Sequence, residues 1–198
     1  MIMNTELEKC LAGEDFNGGD PALAEMTLNA KRLMRKLSDT DYGDLEAKKC
    51  IWKNLFGSVG ENVHIDIDFH CEYGKHIFIG ERVIINMNCT FIDNNKIEIG
   101  NDVFIASCVH LITATHSTKF NERVVEKWGG ESGICHCYAL PIKICDGAWL
   151  GGSVTVLPGV TIGGKSVIGA GSVVTRDIPE NCVAVGSPCR VIKQIDNN

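Results

Sequence analysis

Three absences narrow what this 198-residue chain can be. No stretch approaches the ~18 consecutive apolar residues that a membrane-spanning helix needs, so no membrane partner is expected. Basic excess is missing too. A formal net charge of −6 and a pI near 5.5 leave no positive stripe to neutralise a phosphate backbone, and no nucleic-acid partner is expected. The residues up to Cys10 carry charges where a secretory leader would be apolar, which points to a cytoplasmic protein.

That last absence decides how the ten cysteines are read. Scattered at positions 10, 50, 71, 89, 108, 135, 137, 145, 182 and 189, they read as reduced thiols rather than a disulfide framework. Several sit in apolar context, where cysteine packs as a small core residue. Cys135-His136-Cys137 is the one local concentration. A single intervening residue is not the spacing of a zinc knuckle and no second pair follows, so no metal is expected.

What the chain does have is a period of six. Ile144, Leu150, Val156, Ile162, Ile168 and Val174 form an unbroken aliphatic ladder, and Ile99, Ile105 and Leu111, then Ile79, Ile85 and Phe91, and less cleanly Val59, Ile65 and Cys71, extend it upstream. Six matches neither the 3.6 of a helix nor the two of a strand. Three six-residue edges instead make one 18-residue triangular coil, and stacked coils share a continuous core. Two extra residues at 77–78 and at 97–98 are expected to enlarge a corner without loss of register.

Residues 1–56 lack the ladder. Asp20-Pro21 is a helix start, an acidic cap followed by a proline whose missing donor costs nothing at that place. Leu23, Met26, Ala30, Leu33, Met34 and Leu37 then share a helical face, and a second helix is expected over about 44–56 with Leu45, Ala47, Ile51 and Leu55 as its apolar side. The expected fold is mainly β, a left-handed parallel β-helix of hexapeptide repeats over 57–198, preceded by a helical segment that either caps the open end of the solenoid or lines a substrate site.

The ladder stops at about 112 and resumes at about 142. Between them lies a stretch containing Trp128-Gly-Gly130 and no repeat, and a long excursion from a regular scaffold is often functional. His116 stands where the ladder gives way, and histidine can take a proton from a hydroxyl at neutral pH. Position does not select it alone, because His64, His70, His76 and His110 share its phase. Pairs 40 residues apart, His76 with His116 and His70 with His110, also raise a zinc-dependent carbonic anhydrase of the γ class, but Asn121 stands where a third histidine would complete the set.

Several motifs carry a resemblance over nearly the whole chain: Thr113-Ala-Thr-His116, Trp149-Leu-Gly-Gly152, Leu157-Pro-Gly-Val-Thr-Ile-Gly163, Ile168-Gly-Ala-Gly-Ser-Val-Val-Thr175, Asp177-Ile-Pro179 and Val185-Gly-Ser-Pro-Cys-Arg190. With them the chain resembles the maltose and galactoside O-acetyltransferases among the hexapeptide-repeat acyltransferases. The resemblance implies an acetyl-CoA-dependent O-acetyltransferase acting on a sugar-like hydroxyl, with His116 as general base and a homotrimer whose active sites are shared between subunits. It implies acceptor contacts from Asn86, Asn94 and Asp20. Coenzyme A would lie along Trp149, Gly152, Ala170, Thr175, Arg176, Arg190 and Lys193, where small residues let a pantetheine arm approach the backbone and basic ones meet phosphate. Met26 and Thr27 fall where the family carries an arginine, Asn94 where it commonly carries an aspartate, and Ile84 where it carries an aromatic. These departures concern acceptor recognition. An N-acetyltransferase for an amino sugar or small drug, and a non-catalytic β-helix scaffold, are the alternatives.

Overall fold

Three parallel walls, each built of very short strands, account for most of the molecule in this computed structural model, which describes residues 5–125 and 135–196. Trp128-Gly129-Gly130 lies outside them. The first wall stacks Ser58–Val59, Ile77–Ile79, Ile97–Ile99, Ile142–Ile144 and Thr161–Ile162. The second stacks His64–Ile65, Ile84–Ile85, Phe104–Ile105, Trp149–Leu150 and Val167–Ile168, then ends in Cys182–Val185 and the antiparallel Arg190–Gln194. The third stacks His70–Cys71, Thr90–Ile92, His110–Ile112, Thr155–Val156 and Val173–Val174. This is the mainly β parallel solenoid expected from the six-residue ladder.

Each hexapeptide makes one edge because it supplies one inward side chain and one turn. The inward set includes Ile85, Phe91, Ile105, Leu111, Leu150, Val156, Ile162, Ile168 and Val174, all without solvent exposure. Their preceding neighbours on the second wall, such as His64, Ile84, Phe104 and Trp149, face outward. Backbone groups pair from coil to coil, as in Asn86 N–H to Ile105 O at 2.9 Å and Ala106 N–H to Leu150 O at 2.9 Å. Corners turn through left-handed conformations, and Asn62, Asn88 and Asp102 supply several of them at φ near +57° to +60°, which short polar side chains tolerate.

The extra residues of the longer coils do something other than widen a corner alone. They lengthen the first wall by one inward row, in which Ile77, Ile97 and Ile142 pair in register and are wholly buried. The enlarged corner at 93–96 is closed by polar groups: Asp93 accepts the N–H groups of Glu72 and Tyr73 at 2.9 Å each.

Three helices precede the walls. Residues Glu6–Ala12 form α1, a helix not anticipated from the ladder-free segment, although Thr5 and Glu8 form a reciprocal capping box that signals it. Pro21–Ser38 forms α2, with Asp20 accepting from the N–H of Ala22 and Leu23. Leu45–Leu55 forms α3, capped by Asp44. Its buried face is Lys48, Ile51, Trp52 and Leu55, while Leu45, expected on that face, is 46% exposed. Phe56 stacks edge-on against Phe69, and Phe69 against Phe91, at centroid distances of 5.6 and 5.1 Å. Ala30 of α2 and Trp52 and Leu55 of α3 thus share one continuous core with the coils, while Cys10 and Leu23 pack with Phe16, Tyr73 and Ala139 in a second cluster. No helix among the described residues is long and apolar enough to cross a membrane.

Leu111 sits at the centre of this core with no exposure. Leu111→Ala is expected to cost about 2–5 kcal/mol of stability, because rigid neighbouring coils cannot collapse into the vacated volume. A urea titration followed by circular dichroism measures this, and an unshifted midpoint would contradict it.

Candidate active site

The excursion that begins after Ile112 is ordered at both ends. Ala114–Thr115 pairs antiparallel with His136–Ala139, placing Ala114 opposite Ala139 and Thr115 opposite Tyr138. The returning strand pairs on its other edge with Phe16–Asn17. A three-stranded ribbon therefore stands off the solenoid where an irregular loop was expected. Strands of two to four residues are too short to leave a periodic signature.

Asn95 holds this ribbon to the coils. Its Nδ2 donates to the carbonyls of Ala139 at 2.8 Å, Cys10 at 3.0 Å and Leu11 at 3.2 Å, and its Oδ1 accepts the N–H of Lys96 at 2.7 Å. Its own N–H goes to Thr113 Oγ1, which in turn donates to Ile92 O. One buried amide thus fastens α1, the widened corner and the returning strand together.

On this ribbon His116 is exposed, with Nδ1 at 2.8 Å from the backbone carbonyl of His136. A carbonyl only accepts, so Nδ1 carries the proton and Nε2 presents its lone pair to solvent. That is the tautomer a general base needs. His136 itself is tied by Nδ1 to Asp15 Oδ2 at 2.7 Å, which steadies the strand that supplies the carbonyl. Cys137 Sγ lies 3.6 Å from His116 Nδ1 and 3.4 Å from Cys135 Sγ. Burial pushes the Cys137 thiol up to about 12, and Cys135 beside it adds to the effect. It stays S–H at neutral pH and so offers no thiolate nucleophile beside the acceptor hydroxyl.

The histidines that share the phase of His116 are placed differently. His64, His70 and His110 face outward from the walls. His70 and His110 lie on one column with Thr90 between them, a separation of about two strand spacings, or ~10 Å, too far to share a metal. His76 is buried and its Nδ1 donates to the carbonyls of Asp93 and Asn94.

The residues expected at the acceptor occupy separate places. Asn86 is half-buried at the corner between the second and third walls, with Nδ2 donating to Ile105 O at 3.2 Å. Asn94, at the opposite end of the third wall, donates to Tyr73 Oη at 3.0 Å. Asp20 caps α2 through Oδ1. Thr27, near which the resemblance puts an arginine, donates to Glu72 Oε1 at 3.0 Å.

Of the residues expected at the cofactor, Trp149, Gly152, Ala170, Arg190 and Lys193 lie near one corner of the prism and Thr175 and Arg176 near another. Gly152 and Ala170 sit one above the other, with Gly171 N–H bonded to Gly152 O at 2.8 Å. A Cβ on Gly152 would meet only Ser107 O at 3.5 Å, and one on Gly171 would meet nothing within 4 Å. Gly151 differs, since its Cβ would strike Ala170 N at 2.7 Å. The corner is thus an open shelf whose backbone a long, thin ligand can approach. Beside it Trp149 is in register with Phe104 and Val167, and the row continues through Val183 to the exposed Lys193. Trp149 and Phe104 are each 51% exposed. Phe104 was not singled out in the sequence, where its outward place in the hexapeptide was the available signal. Arg190 is exposed on the same last strand, while Thr175 and Arg176 are exposed beyond the far end of the third wall. His116 leaves the prism at that far end, so one whole wall separates it from the shelf within a single chain.

The chain matches the model for the maltose acetyltransferase hexapeptide capping motif over residues 9–60 and that for the bacterial transferase hexapeptide over 141–176. It is 38% identical to galactoside O-acetyltransferase of Escherichia coli K12, covering 96% of this chain and 92% of that protein. Among solved structures it is similar to a maltose O-acetyltransferase from Clostridium difficile 630, with a TM-score of 0.91, 42% identity and coverage of 98% and 99% of the two chains. It is also similar to a galactoside acetyltransferase in complex with coenzyme A, at a TM-score of 0.89, 36% identity and coverage of 98% and 93%.

Asn95→Ala is expected to leave the Ala139 and Cys10 carbonyls buried without that donor and to lower stability by about 1–3 kcal/mol. Hydrogen exchange at the Leu140 amide, now bonded to Thr113 O at 2.9 Å, should quicken before exchange in the coils does. Unchanged protection there would remove Asn95 from its fastening role.

Proposed function

The chain belongs to the maltose and galactoside O-acetyltransferase family and is an acetyltransferase, and on that premise we propose that it moves an acetyl group from acetyl-CoA to a hydroxyl of a sugar or sugar-like acceptor with His116 as general base. The observation that carries this reading is the bond from His116 Nδ1 to the His136 carbonyl, which leaves Nε2 basic and aimed away from the ribbon. Nε2 takes the proton of the acceptor hydroxyl as that oxygen adds to the acetyl carbonyl. The negative charge gathering on the carbonyl oxygen needs a fixed donor. The N–H of Gly152 is proposed for it, its neighbours Gly151 and Ser153 being committed to Ile168 O and Ser107 O. The same proton, carried on Nε2, then serves the departing thiolate.

The donor side of the proposal rests on the shelf. Gly152, Ala170 and Gly171 leave room against the backbone, Trp149 offers an aromatic face beside it, and Arg190 and Lys193 supply positive charge for phosphate groups, whereas Thr175 and Arg176, a wall away, would meet the donor only from a neighbouring copy. On the acceptor side Asn86 and Asn94 offer amides, and Asp20 offers Oδ2, its Oδ1 being used in capping. The wall between His116 and the shelf supports a trimer, because a base at one corner of a chain reaches a shelf only on a neighbouring copy.

His116→Ala is expected to lower kcat by about 10²- to 10⁴-fold with little change in the KM for acetyl-CoA, measured as coenzyme A release in the presence of a panel of sugars and amino sugars. Full turnover in the folded variant would remove the base. Co-expression of His116→Ala with Gly152→Trp in equal amounts, each inactive alone, should restore about a quarter of the wild-type activity over randomly assembled trimers, since each site would draw base and shelf from different chains. No recovery would contradict a shared site.

A further inference from the structure

The ribbon brings His116 together with two thiols that acetyl transfer does not use. Cys135 and Cys137 are alternate residues and so project on one face of their strand. The pairing of Thr115 with Tyr138 places His116 directly opposite Cys137. As a result the imidazole and both thiols converge, with their three ligand atoms all within 4.8 Å of one another. Cys135 Sγ to Cys137 Sγ is 3.4 Å and Cys137 Sγ to His116 Nδ1 is 3.6 Å. A tetrahedral zinc with bonds of ~2.3 Å to sulfur and ~2.0 Å to nitrogen sets its ligand atoms about 3.5–3.8 Å apart, so two edges already lie within a few tenths of an ångström of that frame.

We propose that His116, Cys135 and Cys137 form a binding site for one zinc ion, or a cation of like softness, and that its occupation switches acetyl transfer off. Two thiolates and an imidazole are a donor set for zinc and softer ions rather than for magnesium or calcium. Three protein ligands leave the fourth position to water. Binding takes His116 through Nδ1, the atom that now donates to the His136 carbonyl. The two thiol protons pass to solvent, and the Nδ1 proton is exchanged for one on Nε2. The base thereby loses the lone pair that faces the acceptor. The ion turns the imidazole from the accepting tautomer to the wrong one without displacing any substrate group. The inhibitory half of this inference rests on His116 being the base, whereas the site itself does not.

The test uses the intact protein with a phosphine reductant in place of a thiol. Cobalt titrated into wild type should give a thiolate-to-metal charge-transfer band saturating near one ion per chain, and Cys135→Ser should lose that band and bind more than about tenfold more weakly. Saturating zinc should lower wild-type turnover by more than about tenfold, reversed by a chelator, while Cys135→Ser, with metal-free turnover within about twofold of wild type, should resist it. The other cysteines are common to both proteins and cancel in the comparison. An equal cobalt band in Cys135→Ser overturns the site, and full turnover of zinc-loaded wild type overturns the switch. Should His116 not be the base, metal-free His116→Ala would stay active, a result separate from the cobalt spectrum.

Discussion

Every later feature of this molecule depends on one constraint, that each six-residue edge must bury one aliphatic side chain while its backbone bonds to the coils above and below. Because the inward row is filled by residues such as Ile105, Leu111, Ile162 and Ile168, neighbouring coils are locked in register, and whatever projects outward is presented on a rigid surface. The energy is local to adjacent coils, as in other solenoids. That locality permits an insertion: the chain can leave after Ile112 and return at Ile142 with Ile97, Ile142 and their neighbours still paired.

The excursion would be an entropic burden if it were loose. Its ends are fixed by short strand pairing and by Asn95, whose single amide answers carbonyls from α1 and from the returning strand. Polar groups are used here because a widened corner cannot be closed by an aliphatic row, and a buried polar group is stable when its bonds are made. Asp93, Asn95 and Thr113 make them. The price of the widening is therefore met by the same residues that orient the ribbon carrying His116.

Function follows from where projections fall on the prism. The shelf at Gly152 and Ala170 sits at one end of the third wall and the ribbon at the other, which is why the proposed reaction draws its base and its donor shelf from different copies. The exposed pair Phe104 and Trp149 belongs to the shelf side. Asn86, Asn94 and Asp20, the residues proposed for the acceptor, come from separate elements of the fold.

The solenoid was legible in the sequence because its determinant is periodic and one-dimensional: six-residue spacing alone dictates edges, walls and core. The start of α2 was equally legible from Asp20-Pro21, since a cap is a local bond, and α3 was legible from the spacing of its apolar residues. The inward row at Ile77 and Ile97 was misplaced at a corner, because spacing counts residues without saying which way they point. His116 could not be separated from four histidines of equal phase by periodicity. The family motif selected it, and only the ribbon showed its carbonyl partner. The ribbon itself, the reach of Asn95 across 84 and 44 residues, and the meeting of His116 with Cys135 and Cys137 were decided by tertiary structure. Each depends on antiparallel pairing between segments too short to announce themselves, and such pairing is set by what the rest of the fold brings near.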